Sequence, residues 1–148
     1  MSAEAILARG RRFLLWLAAA LCAGTVVELW LTSHTETPVQ LVPFVVCAAG
    51  MIALAAALLR PSRGTILALR AAMVIAALAG LFGAFQHVSN NLAFAIETNA
   101  ARASAAPIAA ALTGANPPLA PGVLGAAAAV ALAATYAHPA LRNAPEAA

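Results

Sequence analysis

The chain contains neither lysine nor aspartate, and charged residues make up only 9% of its 148 positions. A soluble globular domain carries roughly a quarter charged residues on the surface it turns to water. A chain this poor in charge cannot coat such a surface, which points to lipid as its solvent. Cysteine is scarce too. Cys22 and Cys47 stand alone in apolar runs, without the spacing of a zinc site or a disulfide framework. They read as small packing hydrophobes, and a bridge between them requires adjacency on neighbouring helices. Serine-nucleophile motifs and phosphate-cradling glycine loops are absent. Gly80-x-x-Gly83 lies inside an apolar run, where close helix packing explains it better than a ligand.

What the chain has in abundance is apolar sequence, 64% of all residues. The length suits one domain, and no internal repeat is visible. Four apolar segments stand out, over about 13–31, 39–59, 65–87 and 121–136. At about 1.5 Å per residue the first just crosses a hydrocarbon core of roughly 30 Å. A cleavable signal peptide competes with this reading. Its apolar stretch is ordinarily shorter, and Leu21 before Cys22 does not suit a lipoprotein cleavage site. Thr37 followed by Pro38 marks the start of the second helix, and Pro43 predicts a kink one turn in. The basic turn 60–64 leads into the third segment, where Arg70 can snorkel to the headgroups. The fourth, rich in alanine, has the weakest insertion drive and ends at His138-Pro139. Residues 88–120 form a long outer loop, in which 107–112 can make one or two turns of interfacial helix.

All eight basic residues are arginines at segment ends rather than on one polar face, which disfavours nucleic-acid binding and serves topology. With four crossings, Arg9, Arg11, Arg12, Arg60, Arg63, Arg70 and Arg142 share one side and only Arg102 the other. The positive-inside rule places both termini in the cytoplasm, with Trp16 and Tyr136 at the inner interface and Trp30 at the outer. The expected fold is an all-α four-transmembrane-helix bundle, N-in and C-in. The bias towards arginine, alanine, glycine and proline suggests a GC-rich bacterial genome and hence a bacterial inner membrane.

This topology gathers the polar residues at one level, near the outer surface. Glu28, His34, Glu36, Gln40, His87, Asn91 and Glu97 all lie there. His87 and Asn91 are four apart and share a helix face that continues through Gly80, Gly83 and Ala84 into the bundle. Glu28 needs a partner at that depth, with His87, Gln40 and Arg102 the candidates. Three readings follow. The groups can satisfy one another and set helix packing. Glu28, His34, His87, Asn91 and Glu97 can ligate a transition metal such as zinc, copper or iron, although no compact ligand motif is present. Glu28, His34 or His87 can relay protons, as a membrane carboxylate beside histidines does. Haem ligation by His34 and His87 is a remote variant, and His138 reads as a helix-end residue.

Several strings resemble a group of small uncharacterised four-helix bacterial inner-membrane proteins. They are residues 28–36 (ELWLTSHTE) with Gln40 and Pro43, the pattern His87, Asn91, Phe94, Glu97, residues 114–122 (GANPPLAPG), and residues 138–141 (HPAL). The resemblance implies the fold class and the bacterial inner membrane, and implies no activity. Residues 100–111 depart from it, being plain alanine-rich sequence. Two function classes follow. One is a non-catalytic accessory or interaction subunit whose outer loop meets a protein partner or a second copy. The other is a metal-dependent, redox or proton-relay protein using the outer cluster. A channel or transporter is disfavoured, because four short helices make no wide pore and the charges lie near helix ends.

Overall fold

A computed structural model of the chain describes residues 2–98, 106–116 and 121–142. The described residues form helices and turns with no strand. The helices are α1 (Ala3–Leu31), α2 (Pro38–Leu59), α3 (Arg63–Glu97), α4 (Ala106–Thr113) and α5 (Gly122–Ala134), followed by a 3-10 turn at Pro139–Leu141. The first three are long and apolar enough to cross a membrane. α5 is shorter: its 13 residues make about 20 Å of helix, less than a hydrocarbon core.

Two helices outrun the apolar segments that predict them, because backbone hydrogen bonding does not stop where hydropathy does. α1 begins ten residues before Phe13 and carries Arg9, Arg11 and Arg12 within it. Ser2 caps it, its side chain accepting the Ala5 N–H at 3.3 Å, and Glu4 sits in the first turn, where a negative charge suits the helix dipole. α3 runs through His87 to Glu97. Its 35 residues span about 52 Å, so much of the expected loop 88–98 is helix. The interfacial turn expected at 107–112 is α4.

The starts of α2 and α3 follow their capping residues. Gln40 Oε1 accepts the Thr37 N–H at 3.0 Å and the Glu36 N–H at 2.7 Å, with Pro38 opening α2. Ser62 and Thr65 cap α3 reciprocally: Ser62 N–H donates to Thr65 Oγ1 at 2.9 Å and Thr65 N–H to Ser62 Oγ at 3.2 Å. Pro43 lies inside α2, whose helical run is unbroken from Pro38 to Leu59.

α1, α2, α3 and α5 pack in a ring in which sequence neighbours touch and α5 closes back onto α1, while α4 lies against α3. The core is built from Leu15, Ala18 and Cys22 of α1, Cys47 and Leu54 of α2, Leu69, Met73 and Ala76 of α3, and a run of alanines on α5. Small residues set the spacing. A Cβ on Gly80 would stand 3.0 Å from the Pro121 carbonyl oxygen and 3.2 Å from Gly125 N, and one on Gly83 would stand 3.0 Å from Pro121 Cβ. α3 and the start of α5 therefore meet backbone to backbone, the packing that small residues permit between membrane helices. Cys22 and Cys47 face each other across α1 and α2 as buried, free, hydrogen-bonded thiols.

The outward faces are the reverse of a soluble protein's. Phe13, Trp16, Val45, Ile52, Ile75, Leu78, Leu81 and Phe85 are exposed around the ring. Apolar surface this continuous, on helices of membrane-crossing length, belongs in lipid.

Candidate functional site

The five residues read from the sequence as a possible metal site lie on α1, on the turn that follows it and on α3. Glu28 is exposed on α1 and Glu97 is exposed at the last position of α3. His34 is half-buried in the turn after α1, where its N–H donates to the Leu29 carbonyl at 2.9 Å and Ser33 before it adopts a left-handed φ of 55°. His87 is half-buried on α3 and engaged in interactions of its own. Among the described residues, no group of three or more histidine, cysteine, aspartate or glutamate side chains is arranged to hold a metal ion.

Asn91 has a different task. It is 3% exposed, and every polar atom of its amide is used. Nδ2 donates to the Ala111 carbonyl at 3.0 Å and to the Asn116 carbonyl at 2.7 Å. Oδ1 accepts the Asn116 backbone N–H at 3.0 Å and its side-chain Nδ2 at 3.1 Å. One side chain of α3 thus replaces the hydrogen bonds that the end of α4 and the following turn would otherwise seek from water. An amide is the side chain for this, since it offers two donors and an acceptor within one plane. Gly114 completes the clamp: a Cβ there would lie 2.5 Å from Asn91 Cγ.

The result is a built layer at this end of the bundle. The last two turns of α3 carry α4 on one side, and Phe94, Ile96 and Leu112 remain exposed on it. The spacing puts His87 and Asn91 on one face and predicts an inward-facing His87; the structure leaves His87 half-buried and buries Asn91. Its partner Asn116, 25 residues on, has no signal beyond the turn-forming character of GANPP.

The opposite end is also organised. The Arg70 side chain, instead of snorkelling only to headgroups, closes the C-terminus of α5. Its Nε donates to Thr135 Oγ1 at 3.1 Å and an Nη to the Thr135 carbonyl at 2.8 Å. Thr135 is fully buried, and its hydroxyl donates to the Leu132 carbonyl at 2.9 Å. A cation on the last carbonyls of a helix also opposes its dipole. An Arg11 Nη donates to the Ala137 carbonyl at 3.3 Å, where the chain turns with a left-handed φ of 46°. His138 Nδ1 accepts the Ala140 N–H at 3.2 Å, which leaves the proton of a neutral ring on Nε2. Partial burial, then the charges of Arg11 and Arg70, hold the His138 pKa below the ordinary histidine value. His138 therefore belongs to an electrostatic cluster rather than being only a helix-end residue.

Set against known proteins, the chain matches no family model, no curated protein and no solved structure.

Proposed function

We propose that this is a four-crossing protein of the bacterial inner membrane, with both termini in the cytoplasm, acting as a non-catalytic accessory subunit that meets a protein partner through its outer layer. Three helices of crossing length and the lipid-like outward faces support the membrane location. The antiparallel ring supports α5 as the fourth crossing: it is shorter than the others but runs beside α3 from Gly80 to Arg70. The arginine distribution supports the orientation.

One observation carries the interaction role. Asn91 spends its whole amide on holding the 111–116 turn against α3, while Phe94, Ile96 and Leu112 stay exposed on the segment so fixed. A chain that rigidifies an outer layer and leaves large apolar side chains on it has the makings of a preorganised contact surface. The metal or redox alternative would need Glu28, His34, His87 and Glu97 to converge, and the described residues form no such group.

The test has two arms. A photo-crosslinking amino acid at Phe94 or Leu112, in membranes of the native host, is expected to capture one discrete protein. The same probe at Ile52, on the lipid-facing side of α2, is expected to capture none. A monomer that crosslinks to nothing at the outer positions would overturn the accessory role. For orientation, Ser33→Cys and Ser62→Cys, in a chain with Cys22 and Cys47 replaced by alanine, should label from opposite sides of the membrane. Labelling from the same side removes the four-crossing reading.

A further inference from the structure

The basic cluster at the arginine end of the bundle borders a cavity of about 340 Å³ between the beginning of α1, the end of α2 and the turn after α5. We propose that this cavity binds the phosphate of an anionic membrane lipid, with Arg11 and Arg12 as its charged contacts. The inference rests on the membrane location proposed above and adds a ligand to the face opposite the outer layer.

The lining divides by chemistry. Arg11, Arg12 and His138 supply the polar part, while Leu15, Ala57, Leu58 and Pro61 supply apolar wall. Among the described residues, no carboxylate lines the cavity beside the two guanidinium groups. Arg11 is already oriented, because one of its five N–H donors is fixed on the Ala137 carbonyl. Guanidinium groups pair with phosphate oxygens through parallel N–H donors, in a geometry that lysine cannot copy. A neutral His138, its Nδ1 occupied by Ala140, can add one Nε2–H donor.

Position and size select a lipid over a soluble phosphate. Arg11 and Arg12 immediately precede the apolar run that begins at Phe13, and Pro61 follows the end of α2. The cavity therefore lies at the depth where headgroups meet hydrocarbon. It has room for a phosphate with its glycerol, but acyl chains must stay outside. The exposed Phe13 and Trp16 continue along α1 from Arg12, and Trp16 is one turn on, as a side chain at the membrane interface should be. Basic pockets between membrane helices on the cytoplasmic side recognise anionic headgroups on these grounds.

Native mass spectrometry of the full-length protein, released from detergent with phosphatidylglycerol or phosphatidylcholine added, tests the site. One phosphatidylglycerol should be retained preferentially, with retention about fivefold weaker for each of Arg11→Gln and Arg12→Gln. The charge-matched single variants Arg60→Gln and Arg63→Gln, on the same side but outside the lining, should each leave it unchanged. Thermal melting of each variant keeps loss of fold distinct from loss of ligand. Equal retention of both lipids, or equal losses from the two pairs of arginines, would overturn the proposal. Displacement of the lipid by inorganic phosphate at equal concentration would overturn the lipid as occupant. Recovery of the chain in the soluble fraction would instead sink the membrane location on which the site rests.

Discussion

Asn91 and Asn116 are joined by three hydrogen bonds of 2.7–3.1 Å, in which the α3 amide both donates to and accepts from the turn that follows α4. This exchange, with the bond to the Ala111 carbonyl, ties the layer formed by α4 and its following turn to α3.

Asn91→Ala should release that layer without dismantling the bundle. Its loss strands the Ala111 and Asn116 carbonyls, at a cost of about 1–3 kcal/mol where they stay buried. Asn91→Asp should be at least as damaging, because a carboxylate would face two carbonyl oxygens. Gly114→Ala attacks the same clamp by volume, its Cβ overlapping the Asn91 amide. Hydrogen exchange should speed up over residues 106–116 in all three variants, while the buried positions of α1 and α2 keep their protection.

Gly80 and Gly24 make a paired test of the α3–α5 crossing. Gly80→Ala presses a methyl group onto the backbone of Pro121 and Gly125, which can yield only by moving α5, so a loss of about 1–3 kcal/mol is expected. Gly24→Ala meets nothing within 4 Å and should be neutral or slightly stabilising, since alanine loses less backbone entropy than glycine in a helix. Melting of both variants in the same mild detergent decides the matter; equal melting temperatures would mean that α5 accommodates the methyl group without cost.

Arg70→Met and Thr135→Val separate the two halves of the α5 terminus. Methionine keeps the apolar stem and removes the donors; valine keeps the shape and removes the hydroxyl that accepts from Nε and donates to Leu132. Hydrogen bonds to a charged donor contribute about 1.5–3 kcal/mol, so Arg70→Met should cost the more. Because both act on one terminus, the double variant should fall short of the sum of the single losses. Full additivity in a melting series would show that the two side chains act independently.

The contrast between what hydropathy reveals and what it hides is clear at these residues. Three apolar runs long enough to cross lipid announce α1, α2 and α3, and Thr37-Pro38 marks the start of α2, because both are local signals. The helical extensions 3–12 and 88–97 lie outside the apolar runs, so hydropathy does not see them. Gly80 and Gly83 are legible as a close-packing face, whereas their counterpart Pro121 is not. Of the polar residues at this end, spacing places His87 and Asn91 on one face, and Asn91 is the one buried. That it grips Asn116 rather than joining Glu28 or His34 depends on how residues 106–116 return to α3, a tertiary fact without a local signature. Arg70 is ambiguous in the same way: a long cation near a helix end can reach headgroups or a neighbouring helix terminus, and only the position of Thr135 decides.

His138 should make the stability of the arginine end depend on pH. Partial burial and the charges of Arg11 and Arg70 lower its pKa in the folded protein, while in the unfolded chain it titrates near the ordinary value of about 6.5. Above that value both states are neutral and the stabilising contribution is fully present. As the pH falls through about 6.5 the unfolded chain takes up the proton first, so stability declines, and the decline ends once the folded ring is protonated as well. The melting temperature of the wild type should therefore drop between about pH 7 and the lowered folded-state value, and His138→Gln should flatten this part of the profile. An anionic lipid in the cavity would offset the charges of Arg11 and Arg12 beside the ring, raise its folded-state pKa and shrink the same dependence. Melting curves over this range with phosphatidylglycerol or phosphatidylcholine present would show it, and a profile unchanged by His138→Gln would place the pH response elsewhere in the chain.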